Sequence, residues 1–207
     1  MSGALVLLSG GLDSAAALAW AHQNFSTLYA ITFQYHLRPA RERLAVLRLI
    51  QRFPAKLREI PVPYLMEAGD FRSELSIDVP EGYISNRNMI FYSIAIHFAE
   101  LQGCTTIIGG HTKEDVQAFP DAGTEFFREL QELSNQALQI NKIQIELPLS
   151  QLSKLQVLEK ALQWNVPLEY TWSCYGDYRS PCGVCVSCIE RAEAFTVLGI
   201  KDPLCTT

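Results

Sequence analysis

Four cysteines near the C-terminus, Cys174, Cys182, Cys185 and Cys188, follow the spacing C-x7-C-x2-C-x2-C. Four thiolates this close can close a tetrahedral site around zinc, and the glycine between Cys182 and Cys185 lets the chain bend between ligands. A complete set of four leaves no open coordination position, so such a site is structural. Iron–sulfur ligation uses similar spacings and stays open as the competing assignment. Cys104, just before an apolar strand, reads as a buried small hydrophobe, and Cys205 as incidental. At the other end of the chain, an apolar run leads straight into "SGGLDS", Ser9 to Ser14. Gly10 and Gly11 are expected to take positive φ and bring backbone close to a ligand with no Cβ between. The helix that follows offers unpaired N–H groups and the positive end of its dipole, which suits phosphate. Ser9 and Ser14 add hydroxyl donors. Asp13 would be repelled by bare phosphate, so it serves either as a magnesium ligand or as an acceptor bracing the loop. No Lys-Ser or Lys-Thr follows the glycines, and the third glycine of a dinucleotide fingerprint is missing. A tight strand-to-helix turn with a serine cap is the plainer alternative.

Elements must hold these motifs in place. Short apolar runs alternate with segments of helical periodicity along the chain. "ALVLL" leads to a helix over about Ser14 to Gln23, and "LYAITFQ" to one over about Arg38 to Phe53. "AKLREIPV" precedes a loop-rich stretch from Pro63 to Ser85. A helix over about Asn88 to Leu101, the strand "TTIIGG" and a helix over about Gly123 to Leu138 come next. "IQIELPL" and "LSKLQVLEKALQW" close the series. This order implies βαβ crossovers and an α/β fold with a parallel sheet covered on both faces. Such sheets bind ligands beyond the carboxyl ends of their strands, so Ser9–Ser14, "FQYHLR" and "GGHTKED" share one rim. Composition shifts only after Tyr170, which divides the chain into residues 1–170 and a small C-terminal segment, 171–207, with the cysteines and a helix.

The 207 residues, 48% hydrophobic and 19% charged, suffice for one sizeable core. A net charge of −5 argues against bulk binding to nucleic acid. The early apolar run lacks a basic flank and is too short for a signal peptide. No run approaches the roughly 20 apolar residues of a membrane span, so the chain reads as cytoplasmic with no membrane partner. Disulfides do not suit that compartment.

"SGGLDS" resembles the pyrophosphate loop of the N-type ATP pyrophosphatases, the PP-loop superfamily. Together with the cysteines it resembles the 7-cyano-7-deazaguanine synthase family, which forms the preQ0 nitrile of the queuosine and archaeosine pathways. The likeness runs over nearly the whole chain. It is carried by "VLLSGGLDS", "RNMIFYSIAIHFAE", Pro120-Asp121, "KLQVLEKA", and "TWSCY" with "CGVCVSC", Arg191 and Phe195. It implies a Rossmann-like (adenine nucleotide alpha hydrolase-like) ATP-binding domain over residues 1–170 and a small zinc-binding subdomain after it. It also implies ATP with Mg2+, Zn2+ held by the four cysteines, and a homodimer. The implied activity is that of an ATP-dependent carbon–nitrogen ligase acting on 7-carboxy-7-deazaguanine and ammonia through adenylation. No Ser-His-Asp or Cys-His set appears, so positioning and charge neutralisation would carry catalysis.

By the same resemblance Leu8, Ser9, Gly10, Gly11, Leu12, Asp13 and Ser14 hold ATP, and Asp13, Ser14 and Arg87 act in catalysis. Tyr35, Arg87, Asn88, Asp115, Phe119 and Asp121 are then the deazapurine contacts. A carboxylate accepts from the paired N–H groups of a guanine-like edge, and Phe119 can stack on its ring. Arg87 suits phosphate or carboxylate, with a surface arginine as the alternative. Asp115 has an exposed loop acid as its alternative, and Gln117 competes with Asp121. Arg38 and Glu42 match a further family segment or belong to a solvated helix face. His22, His36, His97 and His111 carry no ligand spacing, and His97 is expected on a helix. Two segments depart from the family pattern: "DVQAFPDA" replaces a "DYSGYPDC" type, and "QYHLRP" replaces "DYGQRH". Both fall near the expected acceptor. The competing readings are therefore a member that stops at the amide or couples another amine, a PP-loop tRNA-modifying enzyme, and a zinc-stabilised nucleotide-binding module. No appended basic domain or spare catalytic cysteine pair supports the tRNA reading.

Overall fold

The opening apolar run forms strand β1, Gly3–Leu7. Its side chains alternate between two cores, Ala4 and Val6 entering one and Leu5 the other, so both faces of the strand are apolar there. The structure, a computed structural model, describes residues 3–36, 38–65 and 83–205. After β1 come α1, Leu12–Asn24, β2, Leu28–Gln34, α2, Ala40–Arg52, and β3, Lys56–Pro61. Most of the loop-rich stretch expected after Pro63 lies outside the described residues. The chain continues with α3, Arg87–Gln102, β4, Cys104–Ile108, α4, Lys113–Ala118, and α5, Thr124–Ala137. It closes with β5, Gln144–Glu146, α6, Lys154–Gln163, and α7, Val186–Val197.

Among the described residues the strands form one five-stranded parallel sheet in the order β3-β2-β1-β4-β5. The chain moves outward from β1 through β2 and β3, then crosses to the other side of β1 as β4. That reversal opens a crevice beyond the carboxyl ends of β1 and β4, where such sheets bind ligands. Helices α1, α2, α6 and α7 share one core with Ala4, Val6, Ala30 and Ile108. Helices α3 and α5 cover the opposite face around Leu5, Ile31, Tyr92 and Phe127. Ala15, Ala16, Ala17, Ala19 and Ala21 of α1 are all fully buried, and their small side chains let this helix lie against the sheet and α6 at once. Ala194 and Phe195 of α7 enter the same core, so the segment after residue 170 packs directly on the sheet layer. Cys104 is fully buried, and His97 lies on α3. No helix among the described residues is long and apolar enough to cross a membrane.

Three local expectations change. α1 starts at Leu12, so Asp13 and Ser14 occupy its first turn. α2 starts at Ala40, because Pro39 disfavours helical backbone at Arg38. Residues 113–118, read as part of a loop, form α4. Thr112 and Asp115 close a reciprocal capping box at its start.

Candidate active site

The loop between β1 and α1 is braced mainly by its own hydroxyls. Ser14 Oγ accepts from the Gly10 N–H at 3.1 Å and from the Ser9 hydroxyl at 3.0 Å, and donates to the Gly11 carbonyl at 3.0 Å. Ser9 Oγ accepts from the Gly11 N–H at 3.2 Å. Gly10 has φ +100°, and a Cβ there would stand 2.5 Å from the Glu42 carbonyl oxygen. The approach of α2, and not only a ligand, therefore demands this glycine. Gly11 differs from expectation. Its φ is −71°, because it is the N-cap of α1, a position with ordinary extended backbone. Arg38 clamps the loop from outside: it donates to the Ser9 carbonyl at 2.7 Å, to the Phe33 carbonyl at 2.6 Å, and to Glu42 at 3.0 Å. With only 2% of its side chain exposed, Arg38 is no part of a solvated helix face.

Asp13 sits where three segments meet. Its backbone passes so close to the end of β4 that a Cβ on Gly110 would lie 2.9 Å from the Asp13 carbonyl oxygen. One carboxylate oxygen, Oδ2, pairs with Lys154 Nζ at 2.6 Å. The other, Oδ1, is buried with no hydrogen-bond partner. Burial pushes the Asp13 carboxyl above the usual range; the Lys154 ammonium opposes this, and the nearby Asp115 charge adds to it. Burial also works against the charged Lys154, yet the Asp13 carboxylate keeps that ammonium above its ordinary value. Lys154 opens "KLQVLEKA", but sequence reasoning gave it no role. A signal existed: Lys154 is the first residue of α6, where the helix dipole disfavours a cation and no acid of that turn compensates.

A cavity of about 270 Å³ lies beyond these groups. Leu8, Ser9, Gly11, Leu12, Asp13 and Ser14 form its loop wall, with Tyr35 at the end of β2. Leu8 and Leu12 are 2% exposed and also serve the core. Arg87, Asn88, Asp115 and Phe119 line the same cavity. Gly10 and Asp121 are not among the lining residues. The Asp121 carboxylate accepts from the Asn88 backbone N–H at 3.0 Å, and its carbonyl accepts from the Asn88 side chain at 2.9 Å. It thus caps the start of α3 and orients Asn88. Asp115 Oδ2 accepts from the Thr112 backbone N–H at 2.8 Å and from the Thr112 hydroxyl at 3.0 Å, so this acid is a helix-start acceptor facing the cavity. Gln117 is exposed and does not line it. His111 Nε2 lies 3.1 Å from the Tyr92 hydroxyl. Burial, helped by the Arg87 charge, lowers its pKa to about 4 and keeps the ring neutral at pH 7.

The four cysteine sulfurs lie within 4.8 Å of one another. A tetrahedron with zinc–sulfur bonds of about 2.3 Å places its sulfurs about 3.8 Å apart, which this cluster fits. The Gly176 and Cys182 N–H groups donate to Cys174 Sγ, and the Cys185 N–H donates to Cys182 Sγ, each at 3.4 Å. Gly183, at φ +75°, makes the turn between Cys182 and Cys185. Donation from the Val184 and Cys185 N–H groups lowers the Cys182 thiol below its ordinary value, whereas burial raises those of Cys174 and Cys188. The same segment walls the cavity through Trp172, Ser173, Tyr175 and Ser187. It is tied to the loop, because the Trp172 N–H donates to the Gly10 carbonyl at 2.9 Å. Arg191, 3% exposed, fixes the segment with a bidentate pair to Asp202 and bonds to Thr171 and the Leu168 carbonyl.

The family described as "Queuosine biosynthesis protein QueC" matches residues 3–199. The 7-cyano-7-deazaguanine synthase of Aliarcobacter butzleri (strain RM4018) is 36% identical over 214 residues, spanning 97% of this chain and 94% of that protein. The protein of the same name from Methanosarcina mazei is 35% identical over 224 residues, spanning 97% and 96%. The solved NMN synthetase of Francisella tularensis superposes with a TM-score of 0.54 at 16% identity, covering 97% of this chain and 78% of that one. That last likeness is one of fold. A glycine loop at the switch point, a four-cysteine centre behind it and near full-length similarity make this chain a member of the QueC family.

Proposed function

We propose that this protein converts 7-carboxy-7-deazaguanine and ammonia to 7-cyano-7-deazaguanine, using ATP to activate oxygen as an AMP ester. The observation that carries the reading is 36% identity, over 97% of the chain, to a protein named for that synthase activity. The cavity supports it by bringing the glycine loop together with Arg87, Asn88, Asp115 and Phe119 around one space.

A carboxylate is a poor electrophile and forms only a salt with ammonia. Transfer of AMP to one carboxylate oxygen releases pyrophosphate and provides a leaving group. Ammonia then adds its lone pair to the carbon, loses a proton, and expels AMP to leave the amide. A second AMP transfer, to the amide oxygen, followed by loss of AMP and of both remaining N–H protons, gives the nitrile. In this reading the free N–H groups at the start of α1 hold the departing pyrophosphate. Lys154 and Arg87 offset the charge that develops on it. Asn88, oriented by Asp121, and Asp115 and Phe119 face the deazapurine. Asp121 therefore acts through Asn88 and not by direct contact.

The unpartnered Asp13 Oδ1 suits a magnesium ion brought with ATP, which would neutralise phosphate charge. Zinc in the cysteine centre would be structural, since four thiolates leave it no open position. A homodimer is supported by apolar side chains exposed on and beside α7, with Val184 at 78%, Val186 at 50% and Val197 at 69%. Light scattering should give twice the monomer mass, and a monomer at micromolar concentration would remove that part.

Incubation with ATP, magnesium, ammonium and 7-carboxy-7-deazaguanine should yield pyrophosphate, AMP and a product of nitrile mass. Asp13→Asn should cut the rate about 100-fold or more while the circular dichroism stays native. Pyrophosphate release no greater than in a control without the deazapurine would end the reading. The altered "DVQAFPDA" segment favours one alternative, a member that stops at the amide or couples another amine, and an amide or conjugate mass would select it.

A further inference from the structure

Among the described residues, four buried side-chain atoms lack a hydrogen-bond partner: Asp13 Oδ1, Thr32 Oγ1, Glu114 Oε2 and Trp172 Nε1. Protein interiors satisfy nearly all such groups, so a cluster of exceptions marks where a ligand supplies the partner. Asp13, Thr32 and Trp172 all line the same cavity. Asp13 belongs to the loop already described. Thr32 belongs to none of the quoted motifs, and Trp172 lies in "TWSCY", where sequence reasoning gave it no role.

Thr32 is 1% exposed and Trp172 is 5% exposed. An indole N–H only donates, so Trp172 requires an acceptor, whereas a threonine hydroxyl serves either way. Ile31 and Phe33 pack in the α3 core, so strand alternation turns Thr32 to the opposite face, toward α1 and α2. Trp172 lies on that side too. It packs with Ala45 of α2, its backbone N–H holds the Gly10 carbonyl, and the Arg41 guanidinium lies 5.5 Å from its ring centroid. Of the residues assigned to the deazapurine, all but Tyr35, at the end of β2, come instead from segments flanking β4.

We propose that Trp172 Nε1 and Thr32 Oγ1 bind the nucleotide, with the indole N–H donating to an acceptor atom of ATP, and that they do not contact the deazapurine. This assignment rests on the ATP-dependent reading above. It also explains a buried donor left unpaired in the free protein, since ATP completes the bond.

The test compares unaltered protein with Trp172→Phe and Thr32→Val. The first keeps an aromatic ring and the backbone bond to Gly10 while deleting the indole N–H. The second is nearly isosteric. Each is titrated by calorimetry with a non-hydrolysable ATP analogue and, separately, with 7-carboxy-7-deazaguanine. Both variants should bind the analogue about 5- to 20-fold more weakly and the deazapurine within about twofold of the unaltered protein. Without ligand, Thr32→Val should melt no lower, because it deletes a hydroxyl that no protein group satisfies. If Trp172→Phe fails to fold, Thr32→Val decides. Unchanged affinity for the analogue, equal losses for both ligands, or a loss confined to the deazapurine would each overturn the assignment while leaving ATP use intact. An unaltered protein that binds no ATP analogue would overturn the functional reading and this assignment together.

Discussion

The cysteine centre is assembled by one short segment, whereas the glycine loop is held by the rest of the chain. All four sulfurs and the N–H groups that reach them belong to residues 174–188. The loop at Ser9–Ser14 takes its shape partly from its own serines, but Arg38, Gly110, Lys154 and Trp172 fix where it lies. The contrast is one of chain entropy. Closing a short loop around a metal costs little, so the ligands can sit close in sequence and their spacing is readable. Holding a strand-to-helix turn against two other helices needs partners contributed by a whole fold. The two regions are also joined, because the Trp172 N–H donates to the Gly10 carbonyl. Losing the metal releases a whole segment and should reach the loop through that bond, whereas deleting one loop hydroxyl removes too little to release the cysteine centre.

The largest effect should come from Cys188→Ser. Metal binding and folding are coupled at such a centre, so metal content should fall toward zero and the melting temperature by about 10 °C or more. ATP affinity should fall with it. Ser14→Ala, by contrast, should lose ATP turnover while elemental analysis still finds a full metal complement. A metal-free Cys188→Ser protein that binds ATP normally would break the proposed link. An iron–sulfur absorbance band in the native protein would change the metal but keep the asymmetry.

Within the loop the two glycines should separate. Gly10→Ala forces a side chain into left-handed backbone and against the Glu42 carbonyl, so urea melts should show a loss of about 3 kcal/mol or more. Gly11→Ala meets nothing closer than 3.5 Å and should cost about 1 kcal/mol or less, the usual penalty at an N-cap. Equal losses would mean that α2 does not set the loop.

The most gradual effect is on pH dependence and belongs to the cavity rim. His111 is lowered by burial to about 4, while its unfolded value is 6.5. Between those values the unfolded chain binds a proton that the folded chain refuses, so stability is full above pH 6.5 and declines as pH falls toward 4. The loss should be on the order of 2 kcal/mol by pH 5. His111→Gln should flatten the fall in melting temperature between pH 7 and pH 5, and an unchanged slope would place the proton uptake elsewhere.

What the sequence disclosed follows the same contrast. β1 and β4 are buried on both sides, so their apolar runs stood out, and the alternation with helices led to the parallel sheet. α4 was missed because it has only six residues and too few apolar positions for a period, although Thr112 and Asp115 carried its capping signal. The family resemblance makes Asp121 a ligand contact, and nothing nearby in sequence points to its partner Asn88, 33 residues away. Lys154 was passed over for the same reason, with 141 residues separating it from Asp13. Arg38 stood in plain view, but only the fold shows that two backbone carbonyls consume its charge-bearing face.

Transfer of AMP to the oxygens of the substrate is tested most directly with heavy oxygen. 7-Carboxy-7-deazaguanine labelled with oxygen-18 at both carboxylate positions is incubated with ATP, magnesium, ammonium and the protein, and AMP and product are weighed by mass spectrometry. Activation at the carboxylate and then at the amide should give AMP carrying one heavy oxygen per molecule and a nitrile carrying none. Unlabelled AMP, with the heavy oxygen retained in the product or released as water, would contradict adenylation.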